Sequence, residues 1–283
     1  MNLYIKAIGF EQVDSDFEEQ MIHAGILDSL EKGLVIKNNE LNRGAVIVRI
    51  SESTGLYIYG RFKDKEFIYE YYFPFVIGRT RCDNDEITIE RHLDKESYAV
   101  VCDESKTGVT LIFYLQNVMD YLDYICDEKG LNQKDYDIDS RSYVYKIPIK
   151  NKMVSLTALS LGGIIMLPTR NNKSDSVRMT IEDIDTYNEL SHRIVKEDVF
   201  SIVDSSFMPC GVECDQYQVV GEILELSEEI NHYTKEKIYI MVIECNDLNM
   251  TVAINQAHLL GEPAVGRRFK GQIWLQGSVK FNN

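Results

Sequence analysis

Residues 269–281 read FKGQIWLQGSVKF, an alternation of apolar and polar side chains that predicts a β-strand. Because successive side chains of a strand point to opposite faces of its sheet, this strand has one apolar and one mainly polar face. The apolar face, which we expect to join the core, consists of Phe269, Gly271, Ile273, Leu275, Gly277, Val279 and Phe281. The opposite face consists of Lys270, Gln272, Trp274, Gln276, Ser278 and Lys280. It holds the only tryptophan of the chain and is therefore the first candidate for a functional surface.

Strand patterns extend over most of the remaining chain. Consecutive strands are predicted between residues 44 and 115, at 143–149 and again from residue 219 to the end, and the short turns between them favour antiparallel pairing. Helices are predicted at about residues 15–32, 117–129 and 180–195. The first and third begin at capping residues, and the second has apolar residues at helical spacing and Gly130 as its stop. Residues 3–10 are expected to form a short strand or a turn. The pair Gly162-Gly163 predicts a hairpin between strands 154–161 and 164–167.

Length and composition favour two domains. A chain of 283 residues exceeds the usual single-domain size, and residues 210–215 have the character of a linker. We expect an α+β domain at residues 1–208, with a mostly antiparallel sheet and about three helices. A small β-barrel is expected at residues 216–283, and a barrel of oligonucleotide/oligosaccharide-binding type is one candidate.

The charge of the chain constrains its partners. The formal net charge is −15, which repels nucleic acid and anionic membranes at long range, so both are disfavoured as partners. The basic residues from Gly266 onward are Arg267, Arg268, Lys270 and Lys280, and no acidic side chain accompanies them. The C-terminal segment is thus a locally basic part of an acidic protein.

The six cysteines are scattered, which is typical of reduced thiols rather than of a secreted disulfide scaffold. Cys210 and Cys214 are separated by three residues, not by the two of zinc knuckles, so a metal site is not predicted there. The start of the sequence lacks the basic and apolar regions of a signal peptide, and no apolar run is long enough for a membrane span. We therefore expect a cytoplasmic protein.

Trp274 has two competing interpretations. Its ring could stack on a sugar or an exposed base, with Gln272 and Gln276 on either side to hydrogen-bond the ligand. Alternatively the ring anchors the C-terminal strands against the first domain, since tryptophan is favoured at interfaces. Docking is the better supported of the two.

Two further groups of side chains have a functional and a structural interpretation each. Arg267, Arg268 and Lys270 could hold a phosphate or carboxylate, or they could neutralise nearby acids. The aromatic residues between Leu56 and Phe75 could form a contact surface, or they could stabilise the sheet through cross-strand pairs.

Motifs of the common enzyme classes are absent from the sequence. It contains no G-x-S-x-G, H-E-x-x-H, G-x-x-x-x-G-K-[ST] or G-x-G-x-x-G, and no cofactor or metal is predicted. An enzyme of another type would depend on carboxylates such as Glu90 or Glu244 with a nearby histidine.

Both ends of the chain resemble a known family. The resemblance lies in residues 3–10, in residues 261–263 and 266–271, and in residues 274–277, which read LYIKAIGF, GEP, GRRFKG and WLQG. These segments are similar to an uncharacterised family of clostridial type that is known only as a domain of unknown function. The resemblance implies a bacterial, cytoplasmic protein with no assigned activity, and it supplies no catalytic residues.

The sequence thus favours a non-enzymatic binding or scaffolding protein whose partner is a protein or a small ligand. The alternatives are single-stranded nucleic-acid or sugar binding through the C-terminal barrel, and an enzyme of unrecognised type.

Overall fold

The computed structural model describes residues 2–12, 14–64, 66–92, 97–102, 110–130, 147–168, 205–211 and 214–281. The helix predicted at residues 180–195 and the first part of the strand predicted at residues 143–149 lie outside these ranges.

The described residues form a mostly β structure. Its helices are α1 (Ser15–Glu31) and α2 (Val118–Lys129), with short 3-10 helices at Leu3–Ile8 and Gln256–His258. Its strands are β1 (Ile36–Asn38), β2 (Arg43–Arg49), β3 (Thr54–Lys63), β4 (Glu66–Val76), β5 (Cys82–His92), β6 (Ser97–Cys102), β7 (Leu111–Leu115), β8 (Ile147–Met166), β9 (Ser206–Pro209), β10 (Gln216–Ile230), β11 (Lys237–Cys245), β12 (Leu248–Asn255), β13 (Leu259–Leu260) and β14 (Arg268–Val279). Most pairings are antiparallel, which confirms the predicted antiparallel sheet with a few helices.

Local chemistry explains where the α-helices begin and end. The Asp14 side chain accepts a hydrogen bond of 2.8 Å from the backbone N–H of Phe17, so this residue caps α1. Gly130 ends α2 in the left-handed region, with φ of 62°, and its N–H bonds the carbonyl of Cys126. The predicted glycine stop of the second helix is thereby confirmed.

The first four strands form a separate antiparallel sheet in the order β1-β2-β3-β4. Aromatic residues face each other across β3 and β4: Tyr59 lies opposite Tyr71, and Tyr57 lies opposite Phe73. The ring centroids of these pairs are 4.9 and 5.1 Å apart, and such pairs each contribute about 0.2–1 kcal/mol. These rings stabilise the sheet, as one of the two interpretations of the aromatic segment requires.

The second sheet is built around β8 and β14, which pair from Arg268 opposite Met166 to Val279 opposite Val154. On one side, strand pairing runs from β14 through β10, β11 and β12 back to β8. On the other side it runs from β8 through β5, β6 and β7 back to β14. Two closed cycles of five strands therefore share the β8–β14 pair, so the terminal strand β14 belongs to both cycles.

The predicted boundary between two domains lies inside this second sheet. Residues 210–215, which the sequence suggested as a linker, connect the antiparallel strands β9 and β10. β8 belongs to the predicted first domain, yet it pairs with β12, β13 and β14 of the predicted second domain. The division into residues 1–208 and 216–283 stays a prediction about which parts of the chain fold independently.

The hairpin predicted at Gly162-Gly163 is wrong, because β8 runs through both glycines without a turn. A Cβ added to Gly163 would lie 2.3 Å from the Phe269 ring, whereas a Cβ on Gly162 would meet nothing within 4 Å. Gly163 therefore serves the close approach of an aromatic ring from β14 rather than a change of chain direction.

Candidate binding site

The predicted core face of β14 is confirmed. Phe269, Ile273 and Leu275 are fully buried, and Val279 and Phe281 are nearly so. They belong to a core cluster that also includes buried residues of the N-terminal sheet. This face fixes the orientation of β14, and the opposite face carries the candidate site.

The indole of Trp274 is enclosed by residues from distant parts of the chain. Its ring centroid lies 4.9 Å from that of Tyr4 and 5.1 Å from that of Tyr114, the latter in an edge-on arrangement. Its Nε1 donates a hydrogen bond of 2.7 Å to Oδ2 of Asp215. With 7% of its surface exposed, the side chain has the surroundings that the docking interpretation requires. Stacking of a ligand on this ring stays a prediction, and it requires Tyr4 to move.

The Tyr4 phenol, which packs against Trp274, stays protonated. Burial, together with the neighbouring Asp215, Cys210 and Cys214, raises the pKa of Tyr4 to about 12. The phenol therefore stays neutral at physiological pH, and its ring acts as a packing surface for the indole.

Gln276 is fully buried and joins three strands through amide hydrogen bonds. Its Oε1 accepts a bond of 2.9 Å from Nε2 of Gln116, and its Nε2 donates one of 3.0 Å to the carbonyl of Pro74 in β4. Gln116 also donates to Oγ1 of Thr157 in β8, at 2.9 Å. Because buried polar groups are costly without partners, this network fixes β14 against β4 and β8.

The other four candidate residues lie towards the start of β14. Gln272 is exposed and donates a hydrogen bond of 2.9 Å to Oε1 of Gln216. Arg268 is buried, with its Nε bonded to the carbonyl of Leu167 at 3.0 Å. Arg267 is half-buried and donates to the carbonyl of Glu262, and Lys270 is also half-buried. The six predicted residues therefore do not form one pocket: Trp274, Gln276 and Arg268 are buried, while Gln272, Lys270 and Arg267 reach the surface.

Strand register places Gln272 and Lys270 on a broad outer surface. Directly paired residues share a face of a sheet, and the pairings run from Leu260 through Ile164 to Lys270, and from Gly162 through Gln272 and Gln218 to Met208. We call this surface the terminal-strand face. Its solvent-accessible members are Leu260, Ile164, Lys270, Gly162, Gln272, Gln218 and Met208, whereas Val220, which is paired with Lys270, is fully buried.

Three large apolar side chains of the terminal-strand face are open to solvent. Leu260 is 67% exposed, Ile164 47% and Met208 46%. Sequence reasoning missed them because they lie on three strands other than β14. The short apolar pair Leu259-Leu260 before the basic segment was a signal for Leu260, but the local sequence pattern assigns this pair to a turn.

A histidine–carboxylate pair lies elsewhere in the structure. Nε2 of His258 is in contact with Oε2 of Glu11, and Nζ of Lys6 lies 3.3 Å from Oε1 of the same carboxylate. Burial alone would raise the pKa of Glu11, but the bonds to His258 and Lys6 hold it below its ordinary value. The cluster joins the two 3-10 helices and involves neither Glu90 nor Glu244, the carboxylates suggested by the sequence.

Metal-binding clusters and membrane-spanning helices are both absent from the described residues. No group of three or more His, Cys, Asp or Glu side chains there could hold a metal ion. No helix in this part of the chain is long and apolar enough to cross a bilayer.

Fold and site together define a mostly β protein in which one central strand joins two closed cycles and carries an exposed outer face. The chain belongs to a family described as "Domain of unknown function, E. rectale Gene description (DUF3881)", whose model matches residues 5–179 and 170–277. This match confirms the predicted resemblance to a clostridial family of unknown function. Neither the curated proteins nor the solved structures include a match to this chain.

Proposed function

We propose that this protein is a non-enzymatic binding or scaffolding protein and that the terminal-strand face is its binding surface. The observation that carries the proposal is the row in which Leu260, Ile164 and Lys270 lie side by side on adjacent strands. Two exposed aliphatic side chains in register, flanked by the exposed amide of Gln272, the half-buried amide of Gln218 and Met208, are typical of a surface that a partner covers. Six free cysteines favour a reducing compartment, and we propose a cytoplasmic location.

The occupant we propose is a second copy of the chain. Residues from Gly266 onward contain four basic and no acidic side chains. The preceding residues therefore have a net charge more negative than the −15 of the whole chain. Lys270, the basic residue of the terminal-strand face in one copy, is therefore complementary to the acidic surface of another copy. Burial of Leu260 and Ile164 provides the apolar centre of the contact.

Self-association is tested by sedimentation velocity at concentrations up to about 1 mM, at which an association worth about 4 kcal/mol is visible. We expect the wild-type protein to dimerise or form larger assemblies. Leu260→Glu and Ile164→Glu should raise the dissociation constant about tenfold or more, because each buries an unpaired charge in the contact.

The matched control is Leu27→Glu, since Leu27 is an equally exposed leucine, 60% open, on α1. This variant should associate like the wild type. A protein that stays monomeric throughout the concentration range overturns the proposal, and so does an equal effect of the Leu27 and Leu260 substitutions.

We further propose sugar binding as a second candidate function, through a small barrel formed by β8, β14, β10, β11 and β12. The closed cycle of pairings supports the barrel, whose fifth strand then comes from residues 147–166. The exposed amide of Gln272 and the half-buried amide of Gln216 support the ligand class, because amides hydrogen-bond sugar hydroxyls. Gly162, with open space beside it, gives a sugar ring close access to the strand. The net negative charge disfavours single-stranded nucleic acid at the same surface.

Calorimetric titration with maltotriose, chitotriose and a twelve-residue oligothymidylate tests this second candidate. Sugar binding that weakens about tenfold in Gln272→Ala, but not in Gln20→Ala on α1, is the expected result. Oligothymidylate binding that falls with salt would instead favour the nucleic-acid alternative. The absence of heat with all three probes contradicts both.

A further inference from the structure

The loop between β9 and β10 brings two cysteines to one carbonyl oxygen. The backbone N–H of Cys210 donates a hydrogen bond of 2.9 Å to the carbonyl of Gln216, and Sγ of Cys214 lies 3.7 Å from the same oxygen. The N–H of Gln216 in turn lies 3.2 Å from Sγ of Cys214. These contacts with Gln216 hold both cysteines at the base of the loop, next to the end of β9 and the start of β10.

The backbone next to Cys210 lies close to the side chain of Cys214. Bridged cysteines have Cβ atoms about 3.5–4.5 Å apart. Cβ of Cys214 lies 3.6 Å from the position that a Cβ on Gly211 would occupy, and Gly211 is the neighbour of Cys210. Cys214 is thus one residue away from bridging distance, and the intervening glycine has the backbone freedom to supply the adjustment.

Access to solvent is unequal among the six cysteines, all of which lie in described parts of the chain. Cys210 is exposed, Cys214 and Cys82 are intermediate, and the other three are buried. A solvent-borne reagent therefore reaches Cys210 first and finds Cys214 next to it.

We propose that Cys210 and Cys214 are a redox-active dithiol that reacts with the disulfides of low-molecular-weight thiols to form a bridge within the loop. In the first step the Cys210 thiolate attacks one sulfur of the small disulfide, and one small thiol leaves. In the second step the Cys214 thiolate attacks the Cys210 sulfur of the mixed disulfide, and the second small thiol leaves. The protein loses two electrons and two protons, and the small disulfide is reduced to two thiols.

The surroundings of Cys210 favour a bridge that persists once formed. Partial desolvation of the exposed Cys210 and the neighbouring Cys214 raise the pKa of the Cys210 thiol. A thiol of higher pKa is a poorer leaving group, so the bridge reopens slowly. Exchange is correspondingly slow in both directions, and the reaction is best followed at equilibrium.

The loop is also connected to the only tryptophan. Asp215 follows Cys214 directly, and its carboxylate accepts the indole N–H of Trp274 while its carbonyl accepts the N–H of Leu275. A bridge that shifts this part of the loop changes the surroundings of the indole, so fluorescence reports the reaction. The thiol chemistry does not rest on the proposed binding role of the terminal-strand face.

The test uses the full chain equilibrated with glutathione and glutathione disulfide in varied ratios, followed by alkylation of free thiols and tryptic mapping. Residues 197–234 contain no lysine or arginine, so both cysteines lie in one tryptic peptide that has no other cysteine. We expect this peptide to become two hydrogen atoms lighter and resistant to alkylation, with a parallel change in tryptophan emission. Both changes should reverse on treatment with dithiothreitol.

Variants separate the two steps. Cys214→Ser should stop the reaction at the first step and leave glutathione on Cys210, whereas Cys210→Ser should leave the loop unmodified. Cys82→Ser, at a half-buried cysteine of β5, should behave like the wild type. Full alkylation of both cysteines under the most oxidising ratio overturns the proposal. Glutathione that stays on Cys210 in the wild type, or a bridge between two chains, does so as well.

Discussion

One part of the C-terminal strands' surface is covered by other residues of the chain, and another part is open to solvent. β14 contributes side chains to both parts. On the covered surface, Trp274 lies against Tyr4 and Tyr114, and Gln276 bonds the carbonyl of Pro74. On the open surface, Gln272 reaches solvent two residues earlier along the same strand. The alternation of side chains is the same in both parts. A period of two therefore shows which side chains share a face, but not whether another part of the chain covers that face.

The covered surface also includes Glu229 of β10. Its Oε2 accepts hydrogen bonds of 2.6 Å from Oγ of Ser51 and 2.8 Å from the N–H of Ser53, and the guanidinium of Arg79 lies 3.6 Å from its other oxygen. Substitutions on the covered surface should thus lower the stability of the whole chain, whereas those on the open surface should not.

The largest effect is expected for Trp274→Ala. Removal of a buried indole deletes its aromatic contacts and leaves a cavity, which lowers the free energy of unfolding by about 3–5 kcal/mol. The open-surface control Leu260→Ala should change it by about 0.5 kcal/mol or less. Urea denaturation followed by circular dichroism measures both values. Equal effects of the two substitutions would remove the distinction between the surfaces.

Gln276→Met should have the next largest effect. This substitution keeps the length of the side chain but removes the hydrogen bonds that Gln276 makes with Gln116 and with the Pro74 carbonyl, at a cost of about 1–3 kcal/mol in unfolding free energy. Gln272→Met, at an exposed amide of the same strand, should stay within about 0.5 kcal/mol of the wild type. The same urea titrations apply. A neutral Gln276→Met would mean that water replaces the amide network.

The adjacent glycines of β8 provide a sharper comparison. Gly163→Ala places a methyl group against the Phe269 ring and should destabilise the chain by about 1–3 kcal/mol, because overpacking forces neighbouring groups to move. Gly162→Ala enters open space and should be neutral or slightly stabilising. Thermal and urea unfolding of the two variants distinguish these outcomes. If both were equally destabilising, a turn at this position would be the better description.

The sequence was sufficient where a local pattern and the tertiary structure agree. The apolar face of residues 269–281 became core, and Gly130 ended α2 because both features depend on neighbouring residues alone. Gly162-Gly163 misled the prediction because the turn rule is local, while the actual constraint is a ring from β14. The residues that cover Trp274 could not be predicted either, because Tyr4 and Tyr114 are distant from it in the sequence. The row of Leu260, Ile164 and Lys270 depends on which strands pair, a property that single-strand patterns do not contain.

The smallest expected effect concerns pH and Glu229. Burial alone would raise the pKa of this carboxyl, but hydrogen bonds from Ser51 and Ser53 and the charge of Arg79 lower it below its ordinary value of 4.5. A carboxyl whose pKa is lower in the folded state stabilises the chain above the unfolded pKa. This contribution is lost as the pH falls from 4.5 through the lowered, folded value.

Glu229→Gln removes the ionisable group, so it should lower the free energy of unfolding at neutral pH and flatten its decline in the acid range. Urea titrations from about pH 7 to pH 3 measure the two slopes. Glu228→Gln provides the control, because Glu228 is an exposed neighbour whose partner is Lys237. Its acid slope should match that of the wild type. An unchanged slope in Glu229→Gln would show that this contact between the N-terminal sheet and β10 is not electrostatic, and would leave the buried rings and amides as the basis of the covered surface.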